Sequence, residues 1–275
     1  MSMSRRIVHL KQSGELLTDV PGERWTPTAL AKAAARIAEV QQHADELGVA
    51  GLMIVSGGGN APDGFGRGAE LRAKFGADSP IAEYADVIGR RSTIDNAIML
   101  SAYLQAAAVP HKLMAAPSSS FSDQDLGIVP AYDDSLVQQA YADGKVVLMA
   151  GGTGKSNQTT DTGVVELAMW QAQAHPEIPS LAFKMTKYNG VFDADPATNP
   201  EAKRYARLSA DFMLTDYDRF SAVDKQCLEV LKQAGDKGLD VQLQVYAAEY
   251  SIVEALQDEQ LGTRIYSKAC VPTYR

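Results

Sequence analysis

A glycine-rich run over residues 151–162 holds the residue types that bind phosphate groups. It reads GGTGKSNQTTDT and lies between an apolar stretch at residues 145–150 and a helical stretch at residues 163–173. A glycine turn between a strand and a helix leaves backbone N–H groups that can point at an anion. Two threonine hydroxyls add donors, and Asp161 places a carboxylate beside them. The run indicates phosphate chemistry, and the alternative is an ordinary strand-to-helix turn capped by Asp161.

Two further glycine signals favour phosphate binding. The short apolar stretch at residues 7–11 ends in a lysine and leads into Gln-Ser-Gly, which places a cation beside a tight turn. Later, the apolar residues 52–56 lead into Gly57-Gly58-Gly59. Consecutive glycines are costly in conformational entropy, and the cost is explained if the backbone closely approaches a ligand. Each signal follows a predicted strand, and ligands of open α/β sheets bind at the carboxyl ends of the strands.

The composition of the 275-residue chain limits its function class. A formal net charge of −8 argues against nucleic-acid binding, although local cations and glycine turns can still bind an anionic substrate. Cys227 and Cys270 lack metal or redox spacing, so we expect free thiols in a reducing cytoplasm and no zinc site. No apolar run reaches the ~18 residues of a membrane span, and the N-terminal apolar stretch is too short for a signal peptide. We therefore expect a cytoplasmic protein without membrane or nucleic-acid partners.

Apolar strands alternate with helical stretches along the chain, which predicts an α/β fold with a mainly parallel sheet. The predicted strands are residues 7–11, 52–56, 112–115, 145–150, 180–185, 241–245 and 263–266. The predicted helices are residues 26–47, 80–107 (broken near Gly89), 133–143, 163–173, 221–234 (closed by Gly235) and 249–256. Asn189-Gly190 predicts a hairpin turn because this pair tolerates positive φ. Residues 61–79 are expected to form an exposed excursion, and the tail at residues 267–275 shows no periodicity.

Several short motifs occur in a fixed order, at residues 11–15, 57–60, 152–162, 184–196, 222–224 and 262–265. Together they resemble the motifs of bacterial uridylate (UMP) kinases, members of the amino acid kinase superfamily, over roughly residues 5–267. The resemblance implies one carbamate kinase-like domain over residues 1–275, a three-layer α/β/α sandwich. Its acceptor-binding half would span about 1–175 and its ATP-binding half about 176–267. The implied reaction is ATP-dependent phosphorylation of UMP to UDP in pyrimidine nucleotide synthesis, by a homo-hexamer.

The resemblance also assigns residues to roles. Lys11 would neutralise charge on the transferring phosphoryl group, and Asp161 and Asp224 would organise the lysine and the metal-bound nucleotide, so these three are the expected catalytic residues. The implied ATP-binding residues are Lys11, Gln12, Ser13, Gly14, Gly59, Arg67, Lys184, Thr186, Phe192 and Asp195. The implied UMP-binding residues are Gly58, Asp86, Thr153, Gly154, Lys155, Ser156, Asn157, Gln158, Thr159 and Thr160. Mg²⁺ is expected with ATP, and the sequence assigns it no protein ligand.

Other interpretations of single residues remain open. Lys11 could be a surface lysine that closes a strand, and Asp224 a solvated helix residue. Arg67 could be a solvated loop charge, Phe192 a core residue, and Asp195 part of an Asp-rich turn.

The acceptor side departs from the family pattern. The family has Gly-Asn-Pro-Phe-Phe-Thr-Thr-Asp where this chain has GKSNQTTD, so Lys155 adds a charge while Asn157 and Gln158 replace aromatic residues. The segment after Gly57-Gly58-Gly59-Asn60 is longer, and a late nucleotide-contacting loop is replaced by residues 246–251. A kinase with another acceptor, a phosphate monoester or a carboxylate, is therefore the runner-up. A nucleotide sensor or storage protein without turnover is the third possibility, although mere binding would not require the catalytic trio.

Overall fold

The computed structural model describes residues 5–59, 70–71, 73–76, 80–117, 129–153, 158–220 and 222–275. The strands are β1 (Arg6–Gln12), β2 (Val49–Ser56), β3 (His111–Ala115), β4 (Val146–Ala150), β5 (Ser180–Thr186), β6 (Tyr205–Ser209), β7 (Val241–Ala247), β8 (Thr263–Tyr266) and β9 (Thr273–Tyr274). The helices are α1 (Pro27–Gln42), α2 (Pro80–Ala106), α3 (Asp134–Ala142), α4 (Thr160–Ala174), α5 (Ala210–Thr215), α6 (Lys225–Asp236) and α7 (Ile252–Gln257). Among the described residues, no helix combines the length and the apolar character needed to cross a membrane.

The chain forms two compact units. The N-terminal unit consists of Gln12–Gln42 and Gly51–Thr160. The C-terminal unit consists of Met1–Lys11, His43–Ala50 and Asp161–Arg275. Strands order as β3-β4-β2 in the N-terminal unit and as β1-β5-β7-β8-β6-β9 in the C-terminal unit.

Most described strand pairs are parallel, as the alternation of strands and helices predicts. β2 and β3 both pair with β4 in parallel, and β5 pairs in parallel with β1 and β7. Only β7–β8 and β6–β9 are antiparallel within the part of the chain that the structure describes. Parallel strands buried on both faces read as apolar runs, and all of β4 and the first four residues of β5 are correspondingly buried. The predicted α/β class with a mainly parallel sheet is therefore confirmed.

The remaining differences from the predicted elements have local causes. The predicted hairpin is wrong: Gly190 adopts φ 114° in a turn, but Phe192 bridges to Arg204 instead of to a residue before that turn. The predicted break near Gly89 is also wrong, because α2 runs without interruption from Pro80 to Ala106. α4 begins at Thr160, three residues before the predicted start, so Asp161 lies in its first turn.

Gly235 does not close its helix as predicted but lies inside α6. A Cβ atom at this position would collide with the backbone carbonyl of Ser267 in the segment after β8. Glycine is therefore required at position 235, because two backbone segments of the C-terminal unit approach each other closely there.

We expect Gly235→Ala to destabilise the protein, although Gly→Ala in an unobstructed helix stabilises by about 0.5–1 kcal/mol. Overpacking against a backbone atom costs about 1–3 kcal/mol, because the carbonyl cannot rotate away as a side chain could. Urea unfolding at constant m-value measures the change, with Gln233→Ala at an exposed position of α6 as the control. A Gly235→Ala protein as stable as the wild type would contradict the close approach.

Candidate active site

A cluster of three charged side chains lies in the C-terminal unit. The Lys11 Nζ is 2.6 Å from Asp161 Oδ1, and the Lys184 Nζ is 2.7 Å from Asp161 Oδ2. The strand register brings the two lysines together: Leu10 on β1 is paired with Phe183 on β5, so each lysine follows a paired residue by one position. Paired positions of neighbouring parallel strands place their side chains on the same face of the sheet. One carboxylate therefore bridges two ammonium groups.

Asp161 is held in its ionised form. It occupies the first turn of α4, where the helix dipole favours a negative charge. Burial of its side chain, which is 9% exposed, would by itself raise its pKa. The charges of Lys11 and Lys184 outweigh burial and hold the pKa of Asp161 below its usual range. Burial likewise opposes the charge on Lys184, but Asp161 and more weakly Asp224 raise the pKa of this lysine.

Asp224 stands at the start of α6, next to the same cluster. It occupies the N-cap position of α6, yet its side chain makes no capping hydrogen bond. Three residues later, the thiol of Cys227 is fully buried, and burial raises its pKa. Sequence reasoning missed this neutral thiol beside the cluster. The three-residue spacing from Asp224 on a predicted helix was the signal that could have found it.

The segment predicted to contact adenosine is ordered by its own hydrogen bonds. The Thr186 Oγ1 donates to the backbone carbonyl of Tyr188 at 2.6 Å. Phe192 is only half-buried, so it is not an ordinary core residue. The Asp195 side chain is exposed and accepts from the Ala197 N–H at 2.9 Å, which makes it part of a turn. Contact of these residues with a nucleotide stays a prediction.

In the N-terminal unit, the turn after β2 packs tightly against the turn after β1. A Cβ atom on Gly14 would lie 2.7 Å from the Gly59 nitrogen and 2.8 Å from the Gly57 oxygen. The Gly57 N–H donates to the Gln12 carbonyl at 2.8 Å. Glycine is needed at position 14 because no side chain fits between the two backbones. Gly58 is half-buried and Gly59 exposed, which leaves room for a ligand beside them.

The turn after β4 lies in the same unit. Gly151 and Gly152 adopt φ of 91° and 61°, a conformation that other residues rarely adopt. The Gly151 N–H donates to Thr93 Oγ1 on α2 at 2.9 Å. Thr153 is buried, and the three predicted UMP-binding residues that precede Asp161 are half-buried: Gln158, Thr159 and Thr160.

The side chains of the other predicted site residues lie outside the part of the chain that the structure describes. Asp86 belongs to α2, but its side chain lies outside the described part of the chain. Arg67 and the centre of the acceptor loop also lie outside the described residues; the loop residues concerned are Gly154, Lys155, Ser156 and Asn157.

Sequence reasoning missed a group of polar residues on the buried face of α2. Thr93 and Asn96 are 5% and 0% exposed and contact the two glycine turns of the N-terminal unit. Helix positions three residues apart share one face. Polar residues three positions apart on a helical face that is otherwise apolar were the signal available in the sequence.

The two sets of groups are suited to different parts of phosphoryl chemistry. Two lysines bridged by one carboxylate place fixed positive charge in a partly desolvated site, where its electrostatic interaction with a phosphate is stronger than in water. The glycine turns offer backbone N–H groups without side chains in the way. Within the described residues, no group of three or more His, Cys, Asp or Glu side chains could hold a metal ion.

Comparisons with known proteins give the family and the fold. The model of the "Amino acid kinase family" matches residues 6–239. A uridylate kinase of Deinococcus radiodurans is 30% identical over 268 residues, 97% of this chain and 96% of the relative. A uridylate kinase of Azorhizobium caulinodans is 34% identical over 211 residues, 76% of this chain and 77% of the relative. The crystal structure of UMP kinase from Bacillus anthracis superposes with a TM-score of 0.74 at 24% identity, over 99% of both chains.

Proposed function

The chain belongs to the amino acid kinase family, and we propose that it transfers the γ-phosphoryl group of ATP to UMP, giving UDP and ADP. Similarity to uridylate kinases over nearly the whole chain supports this acceptor. The observation that carries the proposal is the Lys11–Asp161–Lys184 cluster, because its members occupy three of the motifs that define the resemblance. A sensor without turnover would not need two lysines held at one carboxylate.

The proposed reaction is a direct displacement at phosphorus. A phosphate oxygen of UMP attacks the γ-phosphorus of ATP, and the bond to the β–γ bridging oxygen breaks to release ADP. Such a transfer needs alignment and charge neutralisation more than a covalent catalyst. Lys11 and Lys184 supply fixed cations, and Asp161 holds both ammonium groups in place. Asp161 is a positioning residue here, since its negative charge would repel a phosphate.

The residues of the cluster fit a magnesium ion only as a partner of ATP. Both oxygens of Asp161 face lysines, whereas Asp224, whose charge also acts on Lys184, is the carboxylate of the cluster that would lie near the ion or its water shell. Mg²⁺ binds phosphates with few protein ligands and keeps several waters. Bound Mg²⁺ would offset negative charge on the β- and γ-phosphates.

The remaining assignments belong to the same proposal. In the C-terminal unit, the segment with Thr186, Phe192 and Asp195 would bind adenosine. In the N-terminal unit, the glycine turns would bind phosphates, and Asp86 would accept hydrogen bonds from the UMP ribose. Division into halves at about residue 175, assembly as a hexamer and a place in pyrimidine nucleotide synthesis stay predictions.

An acceptor panel tests the proposed function. A coupled assay of ADP release with ATP and Mg²⁺ compares UMP with CMP, dUMP, carbamate, glutamate and aspartate. We expect a strong preference for UMP. Absence of turnover with UMP, together with measurable ATP binding, would contradict the proposal and show that the changed loop at residues 155–158 serves another acceptor.

A further inference from the structure

Asn96 on α2 is a fully buried amide that links three segments of the N-terminal unit. Its Nδ2 donates to the Gly57 carbonyl oxygen at 2.7 Å. Its Oδ1 accepts from the Trp25 Nε1–H at 2.7 Å. A Cβ atom on Gly14 would lie 2.8 Å from the same Nδ2. The amide therefore sits where the turns after β1 and β2 meet.

The chemistry of the partners fixes which way the Asn96 amide faces. An indole N–H can only donate a hydrogen bond, so the amide atom facing Trp25 is the oxygen. A backbone carbonyl can only accept, so the atom facing Gly57 is the NH₂ group. Trp25 thus orients Asn96, and Asn96 in turn holds the Gly57 carbonyl.

This hydrogen bond determines the direction of the next backbone N–H. In a planar trans peptide, the carbonyl of one residue and the N–H of the following residue point in opposite directions. With the Gly57 carbonyl directed at Asn96, the Gly58 N–H points away from Asn96. Asn96 therefore controls the orientation of a group that it does not touch.

The Gly57–Gly58 peptide needs such control because glycines flank its plane on both sides. Without Cβ atoms, a peptide between two glycines can rotate at little steric cost. The Gly57 N–H belongs to the preceding peptide and is held separately by the Gln12 carbonyl at 2.8 Å. Asn96 thus supplies a restraint on the carbonyl side that the backbone contact does not provide.

The same helix, α2, also holds the second glycine turn, the one after β4, by a hydrogen bond. Thr93, three residues before Asn96, accepts from the Gly151 N–H at 2.9 Å and donates to the Arg90 carbonyl at 2.8 Å. A Cβ atom on Gly58 would approach Thr93 Cγ2 to 3.4 Å. One face of α2 therefore contacts both glycine turns.

We propose that Asn96 is a positioning residue that sets the Gly58 N–H for hydrogen bonding to a phosphate group of the bound nucleotide. The role rests on the proposed function, in which Gly58 binds UMP. It extends that function to a residue that contacts no substrate and acts through the backbone.

Asn96→Asp tests the role with almost no change in volume. The new side chain can still accept from Trp25, and its ionised form cannot donate to the Gly57 carbonyl, so ionisation favours rotation of the peptide. We expect a fall in kcat/KM for UMP of about 10²-fold, the usual loss for one oriented donor. Affinity for UMP relative to uridine should fall about 10-fold or more, since hydrogen bonds to charged groups are strong. Uridine affinity should stay unchanged, because uridine lacks the phosphate.

Two further variants separate positioning from stability. Thr26→Val removes a partly buried hydrogen bond to Asp19 in the same unit and should leave the UMP-to-uridine ratio unchanged. Trp25→Phe keeps the Asn96 side chain but removes the donor that orients it, and should lower the ratio by a smaller factor. Trp25→Phe also provides the test if Asn96→Asp does not fold.

Binding of ADP and adenosine is measured in parallel, so that the two proposals can fail separately. If wild-type protein does not turn over UMP but Asn96→Asp lowers either nucleotide-to-nucleoside ratio, the proposed acceptor is wrong and the positioning role stands. If wild-type protein phosphorylates UMP but Asn96→Asp changes neither ratio, or weakens nucleotide and nucleoside equally, the positioning role is overturned.

Discussion

Replacing Lys11 by alanine should lower kcat with UMP and ATP by about 10³-fold or more, while the protein stays folded. The Lys11 Nζ lies 2.6 Å from Asp161 Oδ1, and the Lys11 side chain is only 21% exposed. Its charge is therefore held in place and partly desolvated. Charge that develops on a transferring phosphoryl group is stabilised most by cations that need not reorganise. Single-turnover kinetics with saturating ATP measure the chemical step directly.

Lys145→Ala is the matched control for this change. Lys145 pairs with Asp143 at 2.8 Å, so the substitution also removes an ammonium group from an ion pair, but at an exposed position. Far-UV circular dichroism should show both variants folded, and only Lys11→Ala should lose turnover. Lys11→Ala activity within about tenfold of the wild type would exclude Lys11 from a charge-neutralising role, since such cations contribute orders of magnitude.

The sequence predicted the parts of the fold that depend on apolar runs. β5 was predicted at residues 180–185 and found at Ser180–Thr186, and β8 was found at the predicted residues 263–266. β6 was missed because it has only five residues, and Arg207 and Ser209 leave no apolar run among them. The false break in α2 came from Gly89, but a single glycine costs a helix only about 1 kcal/mol, which tertiary packing can offset.

The site residues also fall into those that the sequence predicted and those that it did not. Lys11, Asp161 and Lys184 were predicted from motifs, and the structure places these three together. Asn96 was not predicted, because its role depends on Gly57, 39 positions away in sequence. No local pattern encodes such a contact: it exists only once the turn after β2 packs against α2.

The second large effect is expected for Asp161→Asn. An amide of the same shape removes the negative charge that bridges the two ammonium groups at 2.6 and 2.7 Å. Removing one partner of a buried charge cluster costs about 3–5 kcal/mol, since the remaining charges stay desolvated. Repulsion between the lysines should also displace them, and kcat should fall about 10²-fold or more. Urea unfolding and the UMP assay measure the two effects. Asp143→Asn, at an exposed ion pair, should change neither appreciably.

The pH dependence distinguishes the loss of charge from a simple loss of packing. The folded-state pKa of Asp161 is depressed, so its contribution to stability is complete above its unfolded pKa of about 3.9 and is lost as pH falls through the folded value. The folded-state pKa of Lys184 is raised, so its contribution is complete below its unfolded pKa of about 10.4 and is lost as pH rises through the folded value. The difference in unfolding free energy between wild type and Asp161→Asn should therefore be flat between these limits and shrink beyond both. A packing defect would give the same difference at every pH, and that result would show that the charges of the cluster do not stabilise the fold.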